Sequence, residues 1–136
     1  MTQNKIPGWA QGIAHKHAVV TGGSKGLGRA ICIALAEAGA NVTAVARDAV
    51  ALEDLAKEYP SIEMWQADVN DPAFGIELSQ RRVDIFVNNA GTNNPMPMVD
   101  VPVAVLDQML NLNVRAAYLG AQGAARAMVE AASGGV

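Results

Sequence analysis

Thr21-Gly22-Gly23-Ser24-Lys25-Gly26-Leu27-Gly28 stands between an apolar run, His17 to Thr21, and a stretch in which Leu27, Ile31, Leu35 and Ala38 recur at helical spacing. A glycine-rich turn between a strand and a helix has a specific use. Gly22 allows the tight turn, Gly26 lets backbone come close to a phosphate, and Gly28 permits close packing of the helix on the strand. The helix beginning near Leu27 offers free N–H groups and a partial positive charge at its first turn. Together these features form a cradle for a pyrophosphate, and the residues expected to build it are Thr21, Gly22, Ser24, Lys25, Gly26, Leu27 and Gly28. An ordinary glycine turn is the bland alternative, and the strand before it and helix after it weigh against that. A nucleotide-triphosphate loop is excluded because Gly26 follows Lys25 where such a loop needs Ser or Thr to hold magnesium.

Outward from this loop, β-branched apolar runs occur at His17 to Thr21, Val42 to Ala46, Ile62 to Ala67 and Val83 to Val87, beginning 25, 20 and 21 residues apart. That cadence predicts repeated βα units, and runs apolar on both faces predict strands covered on both sides, so the fold class is α/β with an open, doubly wound parallel sheet. Gly39 ends the first helix. A second helix is expected over Val50 to Glu58, stopped by Pro60, and a third near Pro72 to Gln80, with Asp71 as its N-cap. Asn88 to Pro95 reads as a loop, and Pro102 opens a long helix to about Ala132 with Leu106, Met109, Leu110, Asn113, Ala117 and Gly120 on one face. Ser133-Gly134-Gly135 reads as a turn, and Val136 as the first residue of a further strand. The expected organisation is a loose leader over 1–16 and one domain over 17–136, cut before its fifth strand.

Composition narrows the partners. Of 136 residues 51% are apolar and only 4% aromatic, and the net charge is −3 without any run of like charges, so nothing favours a nucleic acid or an anionic membrane. The N-terminus has no apolar segment long enough for a signal peptide. The lone Cys32 lies among Ile31, Ile33 and Leu35 and reads as an inert buried thiol, compatible with a cytoplasmic, reducing location.

In an open parallel sheet the ligand lies beyond the carboxyl ends of the strands. The second strand ends in Arg47-Asp48. A guanidinium there, with Lys25 opposite, suits the 2′-phosphate of NADP(H) over the 2′-hydroxyl of NAD(H). Asp48 could instead accept from that hydroxyl, or cap the second helix, and the preceding Arg47 favours the cap. Asp68-Val69 closes the third strand, where Asp68 either meets the adenine amino group or simply starts a turn. Asn88 and Asn89 can tie strand ends together, while Ala90 and Gly91 leave room for the nicotinamide ribose. The arrangement calls for no metal.

TGGSKGLG at 21–28, Asp68-Val69, Asn88-Asn89-Ala90-Gly91 and Asn113, in that order and spacing, resemble the short-chain dehydrogenase/reductase family from Lys16 to Val136. The resemblance implies strand order 3-2-1-4 in a Rossmann-type sheet. It also implies a nicotinamide dinucleotide as partner, a small alcohol or ketone as substrate, and a homo-oligomer when intact. It makes Asn113 the catalytic asparagine, holding a water in a proton relay, where residues alone suggest a polar group bending the helix. The family's serine and its YxxxK pair are missing: Glu63 stands four residues after Tyr59, and Gln122 four after Tyr118.

Three readings follow. The chain is the NADP(H)-binding part of an oxidoreductase moving hydride between nicotinamide and an alcohol or ketone, inactive alone; or a dinucleotide-binding module without turnover; or a purely structural domain. In the strand order the resemblance implies, the fourth strand should lie at an exposed edge, leaving the chain marginally stable or in need of a partner.

Overall fold

The computed structural model describes residues 8–132 and 134–136. Four parallel strands form one sheet in the order β3-β2-β1-β4: β1 His17–Thr21, β2 Asn41–Ala46, β3 Glu63–Gln66 and β4 Ile85–Val87. Between them run α1 Gly26–Glu37, α2 Ala49–Glu58 and α3 Pro72–Ser79, and after β4 come α4 Val103–Leu110 and α5 Ala117–Glu130. The expected doubly wound α/β topology is present.

Side-chain alternation along the central strands explains why both faces are covered. Ala18 and Val20 on β1, with Val42 and Ala44 on β2, point into a core completed by Cys32, Leu52 and Leu55. Val19 and Val45 point the other way, against Trp65, Phe74, Leu78, Ala124 and Ala127. Thus α1 and α2 cover one face, α3 and α5 the other. On the second face the helices meet almost backbone to backbone: a Cβ at Gly75 would stand 2.8 Å from the Leu119 carbonyl, and one at Gly123 would collide with the carbonyl of Gly75. Small residues therefore set how closely α3 and α5 approach the sheet.

Three local differences from the sequence reading have physical causes. The long helix after Pro102 is not regular: Asn111–Ala116 forms a wide π turn between α4 and α5, which shifts the helical register. Leu106 and Leu110 are about half exposed, at 45% and 49%, while Gly120 is buried against Phe86. Val83 and Asp84 precede β4 instead of belonging to it, because the Asp84 carboxylate takes the His17 N–H at 2.8 Å. Residues 8–16, expected to be loose, pack: Gly8–Ala10 form a short 3-10 turn, Ala10 is fully buried, and the His15 N–H reaches the Gly39 carbonyl at 2.8 Å. The rest of the expected leader, residues 1–7, and Ser133 of the expected final turn lie outside the described residues.

Val136 sits beside the outer edge of β4. Its N–H donates to the Asp84 carbonyl at 3.0 Å and its carbonyl accepts from Phe86 N–H at 2.7 Å, the alternation of a parallel ladder.

Candidate cofactor site

The carboxyl ends of the four strands open onto a cleft of about 570 Å³. Of the residues singled out in the sequence, Gly22, Ser24, Lys25, Leu27, Gly28, Arg47, Asp68, Val69, Asn89, Ala90 and Gly91 line it. Thr21 lies beneath the floor, buried, and Gly26 stands at the first turn of α1.

The floor is built from Thr21. Its hydroxyl accepts from the N–H groups of Asn89 (3.1 Å) and Ala90 (3.0 Å) and donates to the Val87 carbonyl (3.4 Å). The Asn89 amide returns the link, donating to the carbonyls of Thr21 (3.1 Å) and Gly22 (3.3 Å). The ends of β1 and β4 are therefore locked through a hydroxyl and a carboxamide, and the backbone of Ala90 and Gly91 is held where it turns away. Asn88 points elsewhere, donating to the Ala117 carbonyl at 2.8 Å and fixing the start of α5.

The glycine loop is shaped by two left-handed residues, Gly22 at φ +64° and Gly26 at φ +53°. Gly28 has a different reason: a Cβ there would run into the Gly22 carbonyl and the Asn89 amide. Around Gly26 nothing lies within 4 Å of where a Cβ would stand, so the backbone at the N-terminus of α1 is open to an incoming group.

At the rim, Lys25 Nζ donates to Asp48 Oδ2 at 2.6 Å, and Asp48 Oδ1 accepts from the Ala51 N–H at 3.1 Å, capping α2. The Lys25 ammonium and then the Ala51 N–H hold the Asp48 carboxyl below its usual range. Arg47 is exposed beside them, and its guanidinium has no carboxylate partner among the described residues. Asp68 Oδ1 accepts from the Asn70 N–H at 2.9 Å, the turn anticipated for it, and its residue still faces the cleft. Cys32 is buried under the loop, and desolvation pushes its thiol up to about 11. Among the described residues no group of three or more His, Cys, Asp or Glu could hold a metal ion, and no helix is long and apolar enough to cross a membrane.

Asn113 lies in the π turn, and both ends of its amide are spent on one residue. Nδ2 donates to the Thr92 carbonyl and Oδ1 accepts from the Thr92 N–H, each at 2.8 Å. Thr92 was not singled out in the sequence, because only the folded loop brings it to the helix. Nor was Leu112, which lines the cleft next to Asn113; its place one residue before Asn113 was the available signal.

The family model for short chain dehydrogenases matches residues 16–136. The chain belongs to this family. Among curated proteins, this short-chain dehydrogenase chain is 38% identical over 120 residues to L-xylulose reductase of Mesocricetus auratus, covering 87% of the chain and 49% of that protein. A short-chain type dehydrogenase/reductase from Mycobacterium marinum superimposes with a TM-score of 0.84 at 35% identity, over 90% of this chain and 54% of that one. An NADP complex of Pseudomonas aeruginosa RhlG gives 0.78 at 35% identity, over 86% and 49%. The chain spans about half the length of the curated relatives it matches. Short-chain dehydrogenases bind nicotinamide dinucleotides, and the glycine turn, the ends of β2 and β3 and the Ala90–Gly91 backbone of this chain all border one cleft.

Proposed function

We propose that this chain is the NADP(H)-binding part of a short-chain oxidoreductase acting on a small alcohol or ketone. The observation that carries the cofactor choice is a pair of cations, Arg47 at the end of β2 and Lys25 in the glycine loop facing it across Asp48. Lys25 and Arg47 flank the adenosine end of the cleft, and the carboxylate beside them, Asp48, is held by Lys25 and by the Ala51 N–H. A 2′-phosphate gains the uncommitted Arg47 guanidinium and can share Lys25 with Asp48, whereas a 2′-hydroxyl would find its acidic acceptor already engaged. The NADP complex of the Pseudomonas relative supports this reading.

The chain's residues divide the remaining work. Thr21, Ser24, Gly26, Leu27 and Gly28 shape or line the pyrophosphate cradle, with Gly22 turning the chain into it. Asp68 and Val69 border the adenine, and Asn89, Ala90 and Gly91 hold the nicotinamide ribose. Nicotinamide supplies or accepts the hydride. Asn113 serves that chemistry by position, pinning Thr92 and hence the loop beyond Gly91 to the π turn. A proton-transferring Tyr–Lys pair at YxxxK spacing is not among these 136 residues, so we assign binding without turnover to the chain by itself. A reduced, cytoplasmic setting and assembly with further copies complete the reading.

Calorimetric titration of the 136-residue chain with NADPH and NADH tests it. Saturable binding that favours NADPH, with no ketone reduction, is expected; equal affinities would overturn the cofactor choice, and absence of binding by folded protein the whole reading.

A further inference from the structure

A second cleft, of about 550 Å³, lies beside the first and shares Arg47 and Leu112 with it. Its other polar residues are Asn70, Thr92, Gln108, Asn111 and Arg115; none of them borders the dinucleotide cleft, and no carboxylate is among them. Gln108, Asn111 and Arg115 follow one another at three- and four-residue spacing along α4 and the π turn, which puts them along one wall. Three arginines elsewhere are matched: Arg29 with Glu58, Arg81 with Glu63 and Arg82 with Asp84. Arg47 and Arg115 are exposed and have no carboxylate partner among the described residues, and residues 1–7 and 133 contain no acid to supply one. Asn70 Oδ1 is buried and finds no hydrogen-bond donor among the described residues. The cleft therefore gathers two uncompensated guanidinium groups, neutral amide and hydroxyl donors, and an acceptor that folding leaves unused.

We propose that this second cleft is a separate binding site for a phosphoryl group, carried by a small phosphate ester or by inorganic phosphate, and that it fills while a dinucleotide occupies the first cleft. Arg115 acts there on a ligand of its own and not on the adenosine, so the site does not depend on which dinucleotide the first cleft holds. A phosphoryl dianion answers two guanidinium forks at once, whereas a carboxylate brings a single charge and two oxygens. The carboxamides of Gln108 and Asn111 and the Thr92 hydroxyl supply neutral donors to the remaining oxygens. On an ester, a hydroxyl next to the phosphate donates to Asn70 once that carboxamide turns toward the cleft.

Glycerol 3-phosphate, inorganic phosphate, acetate and glycerol, each titrated at matched ionic strength into the 136-residue chain with saturating NADH and followed by amide NMR shifts, test the proposal. Both phosphorylated probes should saturate, with shifts around Arg115, and glycerol should not bind. Arg115→Gln should weaken glycerol 3-phosphate roughly tenfold and leave NADH affinity, read by calorimetry, within about twofold. Arg115→Lys should fall between, keeping charge but not the fork. Retained NADH affinity also reports that each variant is folded. Tighter binding of glycerol 3-phosphate than of phosphate assigns the site to a phosphorylated polyol, and equal binding assigns it to inorganic phosphate; either supports a phosphoryl site. Phosphorylated probes that bind only when NADH is absent, with shifts confined to the glycine loop, would place them in the dinucleotide cleft and overturn it. Acetate that binds as tightly as phosphate, or glycerol 3-phosphate affinity unchanged in Arg115→Gln, would overturn it as well. Failure of NADH to bind would remove the dinucleotide reading alone, since the same titrations without NADH still decide the second cleft by their dependence on Arg115.

Discussion

Arg47 and Asp48 are neighbours with opposite charge and opposite duties. Asp48 caps α2 and holds Lys25, while Arg47 faces two clefts without a carboxylate partner among the described residues. Arg47→Asp should therefore remove an attraction and add a repulsion for a 2′-phosphate. We expect the ratio of NADPH to NADH affinity to fall roughly 10- to 100-fold, read by calorimetry, and an unchanged ratio would count against Arg47. The Asp48 carboxyl offers a separate check. Because its folded value is lowered, its contribution to stability is present above the unfolded value and is lost only as pH falls through the lowered one; between pH 5 and 8 it should be constant. Carboxyl NMR should place its midpoint below 3.8, and Lys25→Ala should move it back toward that value, since the lysine is the larger cause. An Asp48 midpoint that ignores the loss of Lys25 would show that the pair does not form in solution.

At the level of elements, the strand cadence and glycine loop were readable because they are local: alternation, caps and turn residues lie within a few positions of what they specify. β1 runs His17–Thr21 as read, and the N-caps Asp48 and Asp71 accept from Ala51 N–H and Ala73 N–H. What escaped reading depends on distant partners. The π turn at Asn111–Ala116 is tied by Asn113 to Thr92, and the buried carboxylate of Asp84 trims the start of β4 by engaging His17. The α3–α5 contact was equally hidden, since nothing near Gly75 or Gly123 announces that their backbones will meet. Gly123→Ala puts a methyl group against the Gly75 carbonyl and should cost about 1–3 kcal/mol in urea unfolding, as overpacking in a dense core does. Gly12→Ala, with open space around its Cβ, is the control expected to change stability little. Equal effects from the two would mean that the helices separate at small cost.

For the molecule as a whole, the faces of the sheet are better finished than its β4 edge. The core around Val20, Val42 and Leu52 is closed by α1 and α2, whereas β4 is only half-buried along its length and, among the described residues, its outer edge pairs only with Val136. Along the helices after β4, Val103, Leu106, Leu110, Val114 and Tyr118 expose apolar surface in a row, with Val114 at 60% and Tyr118 at 67%. An apolar helix face beside an open strand edge favours association through either surface, and both routes compete with solubility. The 136-residue chain should therefore associate as its concentration rises, and unfold in guanidinium with less than about 5 kcal/mol of stability as a monomer. Leu110→Lys combined with Val114→Lys separates the two routes, because it charges the helix row and leaves β4 untouched. Sedimentation velocity should show the double variant shifted toward monomer if the helix face dominates. Association that survives the two lysines would assign it to the strand edge, whereas a wild-type chain that stays monomeric and unfolds cooperatively above that stability would show that neither surface needs a cover.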